Sequence, residues 1–211
     1  VDKTGRVNVD ELAAAIRPDT ILVSIMYANN ETGTIQPVRE IGKLCHERGV
    51  LFHCDATQAV GHVPVDVKAD EVDLLSLSAH KLYGPKGVGV LYVRKRNPRV
   101  MLSPLIEGGG HERGIRSGTL NVPGIVGCGE ACRIAREEMA EEAARLTALR
   151  DRLEQEILRR NRFVTINGNT EHRLPHTSNM SFAYVEGESI MLSLDDVALS
   201  SGSACTSASL E

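Results

Sequence analysis

The sequence lacks a hydrophobic run long enough to span a membrane. No apolar stretch approaches the roughly 20 residues that a transmembrane helix needs. The 211 residues are nevertheless 42% hydrophobic, which is enough to build a folded core. We therefore predict one or two globular domains and no membrane partner.

The sequence also lacks a concentration of basic charge. The formal net charge is −4, and the lysine and arginine residues are scattered along the chain. Proteins that bind nucleic acid or acidic lipid surfaces concentrate these residues in patches. The distribution predicts that nucleic acid is not a partner either.

Paired cysteine spacings are absent as well. The five cysteines are an odd number with no regular spacing, which is typical of a reducing compartment where thiols stay free. We therefore predict a cytoplasmic protein. Cys128 and Cys132 lie one helical turn apart, but no third or fourth metal ligand stands near them. We interpret both as small interior residues and predict no metal.

The first half of the chain alternates helical and strand patterns. Near-continuous apolar runs, typical of strands buried on both faces, occupy residues 21–27, 50–54, 72–77 and 88–93. Helical patterns cover residues 9–16 and the stretch from Pro37 to Gly49. A strand, a helix and a strand with short connections predict a parallel sheet, so the fold class is α/β.

The second half begins with a long helical pattern over residues 125–160. Its predicted apolar stripe consists of Cys132, Ala135, Met139, Leu146, Leu149, Leu153 and Ile157. Shorter strand patterns at residues 163–167 and 177–182 and a helical one at 188–194 follow. We predict a large domain over residues 1–138 and a small α+β domain over residues 139–211.

Polar residues follow three of the predicted strands. They are Asn29 and Asn30, then Asp55 and Gln58, then Ser78, His80 and Lys81. Ligands of open parallel sheets bind beyond the carboxyl ends of the strands, so we expect these residues at one rim. Two other interpretations stay open: Asp55 as the cap of the next turn, and Lys81 and Lys86 as residues of a plain surface turn.

The chemistry of these residue types suits a cofactor that carries a carbonyl group. Loss of water around Lys81, at the end of a buried strand, would favour the neutral amine that attacks a carbonyl. The hydroxyl of Ser78 and the imidazole of His80 suit a phosphate or a ring. Asp55 could pair with a protonated ring nitrogen.

Two loops carry further candidates. Residues 107–119 are rich in glycine and contain Arg113, Arg116 and Thr119, so they form either an anion-binding loop or a plain surface loop. They have neither the dinucleotide-binding nor the P-loop spacing. Residues 200–209 place glycine and small hydroxyl residues around Cys205. This composition predicts a mobile loop with an available thiol, unless Cys205 is incidental.

Together these motifs resemble the cysteine desulfurases of the NifS/IscS type. The motifs occupy residues 29–33, 55–58, 78–87, 108–114, 116–119 and 200–207. The resemblance covers the full chain and implies the class V aminotransferase family of fold type I pyridoxal 5′-phosphate (PLP) enzymes. Their large domain has a mainly parallel sheet and binds the cofactor.

The resemblance implies a role for each site residue. Lys81 would form the covalent link to PLP and later transfer protons, and Asp55 would keep the pyridine nitrogen protonated. Gln58 and Asn30 would contact the ring oxygen or the substrate. Ser78 and His80 would bind the phosphate. Thr119 would reach the phosphate bound by the neighbouring subunit of a homodimer.

The implied reaction converts L-cysteine to L-alanine. Cys205 would take up the sulfur as a persulfide and pass it to an acceptor protein, such as an iron–sulfur scaffold. Two alternatives stay open. The first is another fold type I enzyme, an aminotransferase or a selenocysteine lyase, which would keep Lys81 and Asp55 without using Cys205. The second is a non-catalytic scaffold for iron–sulfur assembly partners.

The sequence departs from the family pattern at both ends. The family has an earlier phosphate-binding turn and ring-stacking histidine, and a later arginine for the substrate carboxylate. None of these is present, and the chain starts at Val1. We therefore expect an internal part of a longer enzyme, with both domains incomplete and with little activity by itself.

Overall fold

A four-stranded sheet organises the first half of the chain. The computed structural model describes residues 1–200, so Cys205 lies outside the described residues. The strands are β1 Leu22–Met26, β2 Leu51–Asp55, β3 Leu74–Ser78 and β4 Gly89–Val93, in that spatial order. The first three are parallel, which confirms the predicted α/β fold with a mainly parallel sheet.

Strand β4 runs antiparallel to β3. The connection between them, residues 79–88, is shorter than the dozen or so residues that a parallel crossover needs. The chain therefore turns back at Gly84 and Pro85 and pairs directly with the strand it has just left.

One face of the sheet carries the core. Helices α1 (Val9–Ala15) and α2 (Val38–Arg48) pack on the face that presents Phe52 and Cys54, both fully buried. Gly49 ends α2 in the left-handed conformation that glycine adopts without strain. On the other face Leu22, Met26 and Leu91 are exposed.

A buried carboxylate holds the amino-terminal edge of the sheet together. Asp73 has no exposed surface and accepts the backbone N–H of Phe52 at 2.9 Å. The Arg94 guanidinium lies 2.9 Å from its Oδ1, and Nε2 of His46 lies 3.2 Å from the same oxygen. Because every oxygen is paired, the cost of burying this charge is offset.

The long helix α3 extends over Val122–Arg160. The side chain of Asn121 caps its first turn by accepting the N–H of Gly124. The predicted apolar stripe is wrong in its last part, because Leu149 and Leu153 are each 51% exposed and Glu154 is buried. The polar side chains of Arg173 and Ser178 lie against this part of the helix, and the helix presents the carboxylate of Glu154 to them.

Glu154 forms the second buried ion pair. Arg173 donates to both of its oxygens at 2.6 and 2.7 Å, and Ser178 donates at 2.7 Å. Burial by itself would raise the pKa of Glu154, but the hydrogen bonds from Arg173 and Ser178 outweigh it and lower the pKa. This pair joins α3 to the segment that precedes β6.

The remaining elements are short. Strands β5 (Val164–Ile166) and β6 (Met180–Phe182) form an antiparallel pair, and helix α4 spans Gly187–Leu192. Residues between β5 and β6 return to the first half, where Leu174 N–H donates to Gly33 O at 2.9 Å. The division at residue 138 stays a prediction. None of the helices within residues 1–200 is long and apolar enough to cross a bilayer.

Replacing Asp73 tests the contribution of the first ion pair. Asp73→Ala leaves Arg94 largely buried without its partner, so we expect a loss of about 3 kcal/mol in the free energy of unfolding. The control Asp19→Ala removes an exposed pair with Arg17 and should cost at most about 0.5 kcal/mol. Urea unfolding measures both, and equal losses would contradict the assignment.

Candidate active site

The carboxyl ends of three parallel strands place the predicted site residues at one rim. Asn30 follows β1, Asp55 ends β2, and Ser78 ends β3 just before the turn that carries His80 and Lys81. Adjacent strands lie about 4.8 Å apart, so these residues occupy neighbouring positions along the edge. The predicted convergence is therefore present in the fold.

Asp55 is exposed, and only one of its two carboxylate oxygens accepts a hydrogen bond from the described residues. Its Oδ1 accepts the backbone N–H of Thr57 at 3.0 Å, so it does cap the following turn. Its Oδ2 has no hydrogen-bond partner among the described residues. Asp55 can therefore hold its own turn and still accept a proton donor from a ligand.

The two amide residues contribute less to the geometry. Asn30 is exposed and Gln58 is half-buried, and neither side chain has a hydrogen-bond partner in the described part of the chain. The neighbouring Asn29 is the structural residue, because its Oδ1 accepts the N–H groups of Glu31 and Thr32. Asn30 and Gln58 thus remain available to a ligand.

Ser78 and His80 form a hydrogen-bonded pair. The Ser78 hydroxyl lies 2.8 Å from Nδ1 of His80. A hydroxyl that donates to Nδ1 puts the ring proton on Nε2, where it can be offered to an anion. The pair lines a shallow depression of about 430 Å³ with Lys86 and residues 87–89. A hydroxyl, an imidazole and an amine suit a phosphate.

Lys81 lies in a one-turn 3-10 helix, Ala79–Leu82, that starts where β3 ends. The predicted loss of water around its amine is wrong for this chain, because the side chain is exposed. The turn extends past the strand onto the rim, and no residue among 1–200 covers the amine. Lys81 Nζ also has no ion-pair partner among them.

The turn itself is held firmly. Ala79 and Leu82 are buried, and Gly84 N–H donates back to Ala79 O at 2.9 Å. A Cβ on Gly84 would lie 3.2 Å from the Cβ of Ala131, so glycine lets the turn approach α3 closely. The backbone around Lys81 is therefore fixed while its amine is free.

Sequence reasoning missed His62. This imidazole is 6% exposed, and its Nε2 lies 2.9 Å from the main-chain oxygen of Lys81. Its ring also packs on His176, with the centroids 4.2 Å apart. No motif or periodicity joins residues so far apart in the chain, so only the fold reveals this contact.

Thr119 does not follow one of the three parallel strands whose ends form the rim, because it lies between β4 and α3. Thr119 is exposed and follows the glycine-rich loop, in which Arg116 donates to Gly118 O at 3.2 Å. Two residues of this loop, Glu112 and Arg113, have left-handed backbone angles that cost energy without glycine. Within the described residues no hydrogen bond links Thr119 to the rim residues.

The described cysteines match the interior interpretation. Cys45 and Cys54 have no exposed surface, and burial raises their pKa values to about 11 and about 12. Cys128 is buried, and burial together with the Cys128 thiol raises the pKa of the half-buried Cys132. Among residues 1–200 no three metal-ligating side chains are grouped around one point.

The whole chain matches a family model, and curated relatives support the match. Residues 1–211 match the model described as aminotransferase class-V. The chain is 60% identical over 210 residues to cysteine desulfurase IscS of Anaeromyxobacter dehalogenans (strain 2CP-C), covering all of the chain and 52% of that protein. It is 58% identical over 211 residues to a mitochondrial cysteine desulfurase of Arthroderma benhamiae, covering 42% of that protein. The chain thus spans about half the length of these relatives.

Solved structures of NifS-like proteins also resemble this chain. A NifS-like protein superposes with a TM-score of 0.86 at 44% identity, over 92% of this chain and 52% of that one. DndA from Streptomyces lividans superposes with a TM-score of 0.82 at 39% identity, over 92% and 55%.

The contact between His176 and His62 predicts a pH-dependent stability. His176 keeps an exposed surface, but the protein atoms packed around its ring and the adjacent His62 lower its pKa from the usual 6.5 to about 4, against the opposing charge of Glu142. The unfolded chain therefore binds a proton that the folded chain excludes between about pH 6.5 and pH 4, so stability falls as the pH falls through this window.

Urea unfolding of the full-length protein at several pH values measures this effect. The substitution His176→Asn should flatten the dependence between pH 6.5 and pH 4, because it removes the titrating ring. His172 is exposed as well, but its ring has no hydrogen-bond partner among the described residues, so His172→Asn serves as the control and should leave the dependence unaltered. An identical slope in both variants would refute the prediction.

Proposed function

The chain belongs to the class V aminotransferase family, and from this premise we propose that the full-length protein is a PLP-dependent cysteine desulfurase. The observation that carries the proposal is the rim. Asp55, the pair of Ser78 and His80, and the amine of Lys81 follow neighbouring parallel strands. The rim belongs to a chain that is 60% identical to proteins named cysteine desulfurase IscS.

Class V aminotransferases and cysteine desulfurases depend on PLP, and the residues at the rim fit this group. Lys81 offers an unpaired amine to an aldehyde. Asp55 has a free oxygen for a ring N–H, and Ser78 with His80 offers donors to a phosphate. When bound, PLP supplies an electron sink for charge that develops on the substrate carbon.

The side chains of this chain would then orient the cofactor and move protons. Asp55, at the end of β2, would hold a proton on the ring nitrogen by accepting the ring N–H with its unpaired oxygen. Gln58 and Asn30, both free of partners among the described residues, would bind the ring oxygen or the substrate. Lys81 Nζ is the rim group that can carry a proton to and from the substrate carbon.

The sulfur step requires Cys205. Its thiolate would form a sulfur–sulfur bond with the substrate cysteine while the Cβ–S bond of that substrate breaks. The electron pair of the broken bond stays on Cβ, which takes up a proton, so L-cysteine leaves as L-alanine. Cys205 would thereby gain one sulfur atom as a persulfide, and an acceptor protein would remove that sulfur.

The two alternatives receive less support. A selenocysteine lyase or an aminotransferase would use Lys81 and Asp55 in the same way, but the curated relatives are named cysteine desulfurases. A scaffold without catalysis would have no need for the unpaired groups at the rim. The desulfurase function is therefore the better supported of the three.

We further propose a cytoplasmic homodimer that passes sulfur to an iron–sulfur scaffold. Exposed apolar side chains flank the glycine-rich loop: Leu105 is 96% exposed, and Met101, Val122 and Val126 exceed half. Clusters of this kind mark interfaces. A second copy packed there would bring Thr119 towards its partner's cofactor.

Chemical labelling distinguishes Lys81 from Lys86. After borohydride reduction of the full-length protein with PLP, peptide mapping should find the cofactor on Lys81, because the buried Ala79 and Leu82 fix its turn. Lys81→Arg should abolish the label and Lys86→Arg should retain it, although Lys86 lines the phosphate-sized depression. A label on Lys86 would overturn the assignment.

The site of sulfur uptake is tested separately. The full-length protein, given L-cysteine without reductant, should gain one sulfur on the peptide that contains Cys205. Cys205→Ser should lower alanine formation at least about a hundredfold, because the nucleophile is lost. Cys132→Ser is the control and should keep the wild-type rate, since burial raises the pKa of that thiol. Persulfide in Cys205→Ser would contradict the proposal.

A further inference from the structure

His62 makes one directed contact with the turn that carries Lys81. Its Nε2 lies 2.9 Å from the main-chain oxygen of Lys81. A carbonyl oxygen only accepts hydrogen bonds, so the proton of the ring must be on Nε2. The His62 imidazole is 6% exposed, so water competes little for this bond.

The Lys81 carbonyl needs such a donor. In a continuing 3-10 helix the N–H of Gly84 would bond to it, but that N–H donates to Ala79 O instead. Tyr83 ends the turn in the left-handed conformation, with φ 64°. Within residues 1–200, His62 is the donor that satisfies this carbonyl at the end of the turn.

The fold places His62 beneath the turn by means of Gly61. Gly61 has φ 87°, and a Cβ there would lie 2.9 Å from the Cβ of Leu82. Glycine therefore lets residues 59–63 pass directly against the turn. The His62 ring is then held on two sides, edge-on by Tyr83 at 5.9 Å and by His176 at 4.2 Å between centroids.

His176 brings a distant part of the chain to this contact. It follows the buried Leu174 and Pro175, in the segment that Arg173 anchors to Glu154 through two hydrogen bonds. The His62 ring thus lies between the lysine turn and a segment attached to α3.

We propose that His62 is a positioning residue for Lys81, which holds the backbone of the lysine by its hydrogen bond to the Lys81 carbonyl and is itself held by Tyr83 and His176. The inference rests on the proposed function, since it assumes that Lys81 carries the cofactor. The exposed lysine side chain has many rotamers, and a fixed backbone limits the positions that Nζ can reach. Small displacements of a reacting group cost much of its rate.

Three variants of the full-length protein test this role. His62→Leu keeps the bulk of the ring but loses the donor, whereas His62→Gln keeps an N–H that can reach the same carbonyl. His172→Leu changes an exposed histidine whose ring has no hydrogen-bond partner among the described residues. We expect amide hydrogen exchange in residues 79–84 to become about fivefold faster in His62→Leu, the equivalent of one hydrogen bond. It should stay near wild type in His62→Gln and His172→Leu.

A second readout reports the orientation of the lysine-bound cofactor. Its visible circular dichroism should weaken in His62→Leu and recover in His62→Gln, while the borohydride label stays on Lys81 in every variant. Unchanged exchange and dichroism in His62→Leu would overturn the role of His62 and leave the proposed function standing. A wild-type protein without a label on Lys81 would instead refute the proposed function.

A third measurement covers a His62→Leu variant that fails to fold. Nitrogen-15 NMR of the wild-type protein should show the proton of the His62 ring on Nε2. A neutral ring with its proton on Nδ1 could not donate to the carbonyl, and that result would overturn the proposal.

Discussion

Parallel pairing of β1, β2 and β3 is the constraint on which the candidate site depends. Parallel neighbours end at the same edge, so the backbone pairing by itself brings the polar residues that follow each strand to one rim. The antiparallel return of β4 then completes the arrangement, because it brings Gly89 beside Ser78 and closes the depression with Lys86.

The charged groups of this chain fall into two classes that differ in how fully they are paired. Asp73 and Glu154 are buried, and each accepts several hydrogen bonds, as a buried charge must. Asp55 and Lys81 are exposed, and each has at least one reactive atom without a partner in the described residues. The first class fixes the fold, and the second is available for chemistry.

The exposed face of the sheet is consistent with the length of this chain, which is shorter than the curated relatives that it matches. Parallel sheets in α/β proteins are covered on both faces, yet one face here presents Leu22, Met26 and Leu91 to solvent. The chain corresponds to about half of the curated relatives.

The sequence by itself determined the α/β class, the strand and helix positions to within a few residues, and the rim residues, because apolar periodicity and strand-end motifs are local signals. The apolar stripe predicted for α3 was wrong in its last part, where Glu154 is buried and Leu149 and Leu153 are exposed. Sequence reasoning also missed His62. Both depend on which segments pack together: Arg173 lies against Glu154, and His176 lies against His62. A residue's own neighbours in the chain carry no record of such partners, so only the tertiary structure decided these contacts.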